Sequence, residues 1–150
     1  MKKNTIITLV SIFVVAALGT LFVQLGMSWF DKLTKPTEWI PSYIIPVVWT
    51  IIYLLFVYVL LRWQNKTAIS KENIILLIIN GVLNVVWCFV FFTLNQLLLG
   101  NIIIIINTLF ALRLYFEICK EDAFSGLIIS IYPIWLSIAS TLSIAVWILN

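Results

Sequence analysis

Histidine is absent from this 150-residue chain, and only two cysteines are present. Histidine is the commonest metal ligand and general base and a frequent axial ligand of haem, so its absence removes the usual residue for all three roles. Cys88 lies in an apolar stretch and Cys119 near the end of another, and their spacing forms no recognised metal or disulfide motif. We therefore expect no metal site and no resident cofactor.

Charged residues are also scarce. They make up 10% of the chain, whereas hydrophobic residues make up 63% and the mean hydropathy is +1.16. A soluble domain contains roughly 25% charged and 45–50% apolar residues. A water-soluble core of this size could not bury so much apolar surface, so we expect lipid to cover it. The net charge of +3 is too small and too scattered to indicate nucleic-acid binding.

Acidic residues are missing from the middle of every apolar segment. Ion-coupled carriers usually contain buried carboxylates or histidines as proton relays, so their absence argues against proton-driven transport. The chain also has no Ser/His/Asp set and no glycine-rich phosphate loop, which excludes conventional hydrolysis and phosphoryl transfer. The acidic residues all lie in predicted loops or at helix ends: Asp31, Glu38, Glu72, Glu117, Glu121 and Asp122.

Five long apolar segments are present, and each approaches the roughly 20 residues that a transmembrane helix needs. Backbone groups in lipid must be hydrogen-bonded within the segment, and the alternation typical of a β-barrel is missing. The sequence therefore predicts an all-α membrane protein, a bundle of five transmembrane helices in one domain, with a tight hairpin between the third and fourth. The first segment is too long for a signal peptide and is interpreted as a retained helix. The predicted helices cover about residues 5–28, 43–61, 73–94, 98–119 and 126–150.

The distribution of positive charge predicts an orientation in the cell membrane. With five spans, the N-terminus, the second loop and the fourth loop share one side, and only Lys32 and Lys35 fall on the other. The positive-inside bias predicts a cytoplasmic N-terminus, with the C-terminus and the first loop outside. The cations of the cytoplasmic side are Lys2, Lys3, Arg62, Lys66, Lys71, Arg113 and Lys120.

The third predicted helix carries amide and aromatic side chains on one face, because helical residues three or four apart are neighbours. Two amides in lipid are costly unless they meet partners or a cavity. Interhelical hydrogen bonding and ligand anchoring in a cavity both fit this pattern. The face comprises Asn80, Asn84, Trp87, Cys88 and Phe91.

Aromatic stripes also mark the second and fifth predicted helices. Such a stripe is usually explained by packing or lipid contact, but a tryptophan in mid-helix is less easily explained than one at the interface. A cavity lined by tryptophans and a few amides would suit a flat hydrophobic ligand held by stacking. The residues are Pro46, Trp49, Tyr53 and Phe56 on the second helix and Tyr132, Trp135, Ala139 and Ser143 on the fifth.

Three segments together resemble the translocator family, also known as the tryptophan-rich sensory or TspO/MBR family. The first loop, residues 29–41, resembles W-[YF]-x-x-L-x-K-P-x-W-x-P-P, with one extra residue before Trp39 and Ser42 at the second proline. Residues 83–92 are similar to L-N-x-x-W-S-x-x-F-F, with Cys88 for Ser. Residues 132–143 resemble Y-x-x-W-x-x-F-A-x-x-L-N, with Ile138 for Phe and Ser143 for Asn.

The resemblance implies a ligand pocket between the helices, closed by the first loop (residues 29–42) as a lid that carries Trp39, and a homodimer in the bilayer. Family ligands are protoporphyrin IX and related tetrapyrroles, benzodiazepine- and isoquinoline-type drugs and, in animals, cholesterol. The family tryptophans that match Trp49 and Trp135 are associated with light-dependent porphyrin breakdown in some bacterial members. The implied function is porphyrin sensing, handling or light-dependent degradation, with porphyrin as ligand or substrate.

Two departures from the family pattern limit what carries over. Many members have an acidic residue early in the fourth helix, at the position of Ile103. The animal cholesterol-recognition segment has no match after Ser143, so cholesterol binding is not predicted.

A small-molecule transporter or channel, and a membrane assembly or stress-response helper without ligand, remain alternatives. Close helix contact, within the bundle or across a dimer, is favoured by Ala16, Gly19 and Gly26.

Overall fold

The chain folds as a helical bundle, shown by a computed structural model that describes residues 3–36 and 40–150. Five of its helices, counting α5 and α6 as one span, are long and apolar enough to cross a bilayer. No β-strand occurs in the described ranges, and the predicted all-α membrane fold is confirmed. The elements are α1 Lys3–Phe30, α2 Ile44–Lys66, α3 Lys71–Cys88, a π-helical turn Phe89–Thr93, α4 Leu97–Glu121, α5 Ala123–Ile129 and α6 Ile131–Leu149.

The helices pack one against the next around a central space. α1 packs against α2 and α3, α4 packs against α3 and α6, and α5 joins α2 to α4. α2 and α3 each pack mainly on other helices, which leaves space between them. Apolar side chains cover the outside of the bundle, as bilayer-facing helices require; Phe13 of α1, for example, is 72% exposed.

The hairpin between α3 and α4 is made by the π-helical turn. The amide of Leu94 donates to the carbonyl of Phe89 over 2.9 Å, a bond across five residues that widens the helix at its end. Asn95 then adopts a positive φ of 59°, a conformation that asparagine tolerates, and the chain reverses before Leu97. The predicted tight connection between the third and fourth spans is therefore present.

The fifth span is interrupted at Ser130, between α5 and α6. Pro133 has no backbone N–H, so it cannot donate to the carbonyl of Ile129, and its ring crowds the preceding turn. Such a break is the expected consequence of a proline inside a helix.

A cluster of charges joins the end of α2 to the start of α5. The carboxylate of Asp122 accepts from Arg62 Nε over 2.7 Å and from Lys66 Nζ over 2.6 Å, and it caps α5 by accepting from the amide of Ser125. These bonds hold the pKa of Asp122 well below its usual value. They explain why α2 continues to Lys66, beyond the predicted end near residue 61, and why α5 starts at Ala123 rather than near residue 126.

α1 lies directly against the π-helical turn because Gly26 has no side chain. A Cβ at this position would lie 1.9 Å from the carbonyl oxygen of Phe92. Aromatic rings fill the rest of this contact, with Phe22 4.9 Å from Phe89 and Phe30 5.0 Å from Phe92 between centroids. Gly26 therefore serves close packing within the bundle.

The first loop is fastened to the end of α6 by two hydrogen bonds. The amide of Thr34 donates to Oδ1 of Asn150, and Nδ2 of Asn150 donates to the carbonyl of Thr34, both over 3.0 Å. Leu33 and Ile40 of the loop pack on the core. The described part of the loop thus covers one end of the bundle.

Candidate ligand cavity

A cavity of about 710 Å³ lies between α1, α2 and α3, and Tyr132 of α6 reaches its wall. This volume falls within the roughly 300–1,000 Å³ that is common for small-molecule sites. The cavity occupies the space left because α2 and α3 do not pack tightly on each other. None of the described side chains that line it is charged.

One wall of the cavity is aromatic. Trp49 stacks on Tyr53, the next turn of α2, with ring centroids 5.8 Å apart and planes inclined by 28°. The edge of Tyr132 meets Trp49 at 6.5 Å and Phe56 at 4.9 Å. The wall therefore presents broad π faces to the space in the middle of the bundle.

A line of buried amides adjoins the aromatic wall. Tyr132 Oη donates to Asn80 Oδ1 over 2.8 Å, and Asn80 Nδ2 donates to Asn107 Oδ1 of α4, also over 2.8 Å. Asn84, one turn after Asn80, lines the cavity and is only 3% exposed. Its Oδ1 has no hydrogen-bond partner among the described residues. An acceptor in this state is costly unless a ligand or water donates to it.

The structure brings together six of the residues singled out in the sequence. Trp49, Tyr53 and Phe56 of α2 form the aromatic wall with Tyr132 of α6, and Asn80 and Asn84 of α3 are the amides beside it. The predicted face of α3 is buried throughout, since its five members are each at most 7% exposed.

Trp87 and Cys88 belong to that buried face but lie behind the cavity wall. The Trp87 ring is 6.5 Å from Trp49 and 5.9 Å from Phe91, between centroids. A Cβ on Gly19 of α1 would meet Cys88 Sγ at 3.6 Å and the Tyr53 hydroxyl at 3.7 Å, so Cys88 packs beside α1. Both residues support the wall without being among its described lining.

Trp135, Ala139 and Ser143 are buried on α6, yet none of them is among the described lining of the cavity. Ser143 donates to Asn101 Oδ1 of α4, so this face of α6 points toward α4. The indole Nε1 of Trp135 finds no partner within residues 3–36 and 40–150. Trp39, the remaining site residue predicted from the sequence, lies outside the described residues.

Several polar residues of the site were not singled out in the sequence. Asn107 and Asn101 are buried amides on α4. They could have been recognised from the sequence as polar residues within an isoleucine-rich membrane segment. Thr8 and Gln64 line the far end of the cavity, where Gln64 Nε2 donates to Thr8 Oγ1 over 2.6 Å. Neither stands out in the sequence, because hydroxyl and amide side chains are common near the ends of membrane helices.

Comparison with known proteins identifies the family of this bundle. The model of the TspO/MBR family matches residues 7–148, nearly the whole chain. The chain belongs to the TspO/MBR family. The resemblance seen in its three motifs is thereby confirmed, and the protein is a multi-pass membrane protein of this family.

Curated relatives from three bacteria are similar over most of their length. Protein CrtK of Rhodobacter capsulatus is 27% identical over 129 residues, which cover 82% of this chain and 79% of the relative. Tryptophan-rich protein TspO of Chlorobaculum tepidum is 25% identical, with 88% and 86% covered. Tryptophan-rich sensory protein of Cereibacter sphaeroides is 24% identical, with 81% and 77% covered.

Proposed function

We propose that the cavity binds a flat, hydrophobic tetrapyrrole of the protoporphyrin IX type. The observation that carries this proposal is the stacked Trp49–Tyr53 pair in the cavity wall together with the lining residue Asn84, whose buried Oδ1 has no partner among the described residues. Aromatic faces favour a planar apolar ring, and a buried acceptor favours a ligand that brings an N–H donor. The pyrrole N–H groups of a metal-free porphyrin are donors of this kind.

The absence of histidine determines how such a ligand would be held. With no imidazole to bind an iron atom, the porphyrin would be retained by its faces and by hydrogen bonds. The cavity is neutral along its described lining, so it suits the macrocycle rather than its carboxylates, which we place toward the water-facing end. Benzodiazepine- and isoquinoline-type molecules are planar enough to use the same aromatic wall.

The biological role proposed is porphyrin sensing or handling, with light-dependent degradation as a possible activity. Any turnover would draw on the excited state of the porphyrin itself, and a nearby tryptophan could donate an electron or react with activated oxygen. Trp49 is in position for this because it lines the cavity. Trp135 is the second tryptophan proposed from the family pattern, although it is not among the described lining.

We further propose that the protein works as a homodimer, with its N-terminus in the cytoplasm. Gly19 and Gly26 are used inside the bundle, where they meet Tyr53, Cys88 and Phe92. The outer face of α1 still has small residues that form a shallow depression, including Ala16, Ala17 and Thr20. Crosslinking of a Thr20→Cys variant in membranes would test this face as the dimer contact.

Titration of the purified protein with protoporphyrin IX tests the binding proposal. Bound porphyrin should quench tryptophan emission in a saturable manner, because Trp49 would lie against the macrocycle. The same titration with a non-planar apolar molecule of similar size is the control for partitioning into detergent. Quenching that does not saturate, or that matches the control, would contradict the proposal.

A further inference from the structure

The end of the cavity that faces the first loop is closed by packing. α1 presses on the π-helical turn at Gly26, and the rings of Phe22 and Phe30 fill the contact. Thr34 is hydrogen-bonded to Asn150 across the same end. The described residues of the first loop do not line the cavity.

The other end is bridged between α1 and α2. Gln64 Nε2 donates to Thr8 Oγ1 over 2.6 Å, and Thr8 is only 7% exposed. Along α2 the cavity runs from Trp49 to Gln64, which is about 22 Å at 1.5 Å per residue. The long axis of the cavity therefore follows the helices, with a bond between two helices near its water-facing end.

The side of the cavity is open between the N-terminal halves of α1 and α3. The two helices touch where a Cβ on Gly81 would lie 3.3 Å from Val15 Cγ2. From about this level toward their N-termini, side chains of both helices line the cavity and are also exposed. The aliphatic ones are Ile7 (53% exposed), Val10 (54%) and Val14 (45%) on α1, and Ile74 (44%), Ile78 (59%) and Val82 (54%) on α3. Asn4 and Ser11 of α1 are exposed lining residues as well.

A lining residue with this much exposed surface marks an opening. By the same criterion, Thr67 and Ala68, between α2 and α3, mark a second opening at the water-facing end of the cavity. Six of the eight side chains at the first opening are aliphatic, and both of its helices are membrane spans. The aliphatic side chains make most of this opening face hydrocarbon. Asn4 and Ser11, toward the N-terminus of α1, are its polar members.

We infer that ligands enter and leave this cavity sideways, from the bilayer, through a portal between the N-terminal halves of α1 and α3. The inference rests on the proposed function and deepens it, since it restricts the ligands to planar amphiphiles already dissolved in the membrane. A molecule that travels this way crosses the gap beside Ile78 before it reaches Trp49 and Asn84. The first loop then stays in place during exchange.

Narrowing the portal tests this route. Ile78→Trp adds bulk at the opening, and Ile75→Trp is the matched control, because Ile75 is 56% exposed on the same helix but is not among the described lining. Binding of protoporphyrin IX to protein in lipid nanodiscs would be followed by porphyrin absorbance. We expect Ile78→Trp to slow association and dissociation by a similar factor of fivefold or more, with Kd changed less than threefold. Ile75→Trp should stay within twofold of wild type in both rates.

A narrowed portal slows both association and dissociation of the ligand, whereas a change in an ordinary ligand contact alters mainly the dissociation rate. A change in dissociation alone, or no change in either rate, would overturn the portal. Val10→Trp on α1 offers an independent obstruction if Ile78→Trp does not fold, and the same pair of rates decides the outcome. Failure of wild type to bind porphyrin at all would instead overturn the proposed function, on which the portal rests.

Discussion

Tyr132 Oη lies 2.8 Å from Asn80 Oδ1 and donates to it, which ties α6 to α3 at the wall of the cavity. Asn80 in turn donates to Asn107 Oδ1, so one chain of hydrogen bonds links α6, α3 and α4. In lipid no water competes for these groups, and each lost partner leaves a polar atom unsatisfied. The chain of bonds therefore fixes the position of Tyr132, against which Trp49 and Phe56 pack.

Tyr132→Phe should destabilise the bundle by about 1–2 kcal/mol, because it removes the donor to Asn80 while it keeps the ring. Thermal unfolding in detergent would measure this as a lower Tm. Tyr43→Phe is the control, since Tyr43 is 74% exposed at the start of α2. Equal Tm values for the two variants would show that the Tyr132 bond contributes little.

Gly26→Ala should disrupt the contact between α1 and the π-helical turn. Its Cβ would fall 1.9 Å from a backbone oxygen, which cannot move aside as a side chain can, so we expect a loss of about 1–3 kcal/mol or more. Gly81→Ala is the matched control, because its Cβ would meet only the side chain of Val15 at 3.3 Å. Unfolding of both variants in one detergent would compare them. A Gly81→Ala loss as large as that of Gly26→Ala would contradict the packing described.

Acid should weaken the junction between α2 and α5. The pKa of Asp122 is lowered, first by its bond to Arg62 and then by Lys66 and Ser125, so its carboxylate stabilises the fold above the usual Asp pKa of 3.8. This stabilisation is lost as the pH falls below that value toward the lower folded pKa. Asp122→Asn keeps a side-chain cap for α5 but removes the charge. Its Tm should be lower at pH 6 and should fall less than that of wild type below pH 4. An Asp31→Asn control should follow wild type, and a wild-type Tm that does not fall below pH 4 would contradict the role of the Asp122 charge.

Light-dependent loss of porphyrin, if the protein catalyses it, should depend on Trp49 more than on Trp135. Trp49 lines the cavity, whereas Trp135 is buried on α6 and is not among the described lining. Phenylalanine keeps most of the stacking, so Trp49→Phe should retain binding while the illuminated decay of the porphyrin absorbance slows. Wild type, Trp49→Phe, Trp135→Phe and a sample without protein would be compared. If both variants match wild type, the tryptophans serve binding alone.

Thiol labelling of intact cells tests the orientation. After Cys88 and Cys119 are replaced, a single cysteine at Thr37 in the first loop should react with an impermeant reagent from outside. A cysteine at Ala68, between α2 and α3, should react only after permeabilisation, because the positive-inside bias places that loop in the cytoplasm. The opposite pattern would reverse the orientation and leave the five spans unchanged.

The sequence predicted the spans well because lipid imposes one simple requirement, a long apolar helix with its backbone bonds satisfied. Helix ends were harder to predict, because the end of α2 at Lys66 depends on Asp122, which is distant in the sequence. The fifth span was predicted as one helix, and its break beside Pro133 was not predicted. Nothing obvious signalled the π-helical turn after Cys88.

The site was predictable in part for similar reasons. Periodicity placed Asn80, Asn84 and Trp87 on one buried face, but it could not distinguish a cavity wall from a packed interface. Trp49 and Trp135 illustrate the difference: both are mid-helix tryptophans, and only Trp49 is among the described lining. The packing of all the helices together decides which two of them leave a space between them. Residues that are close in the sequence do not reveal this.

Affinity for protoporphyrin IX in Trp49→Ala and Trp147→Ala variants tests most directly whether the cavity is the tetrapyrrole site. Both changes remove one indole from a membrane helix, but Trp147 is 43% exposed near the end of α6 and lies outside the described lining. We expect Trp49→Ala to raise Kd at least tenfold, about 1.4 kcal/mol, and Trp147→Ala to leave it within twofold. The same Kd for both variants would place the porphyrin elsewhere and contradict binding in this cavity.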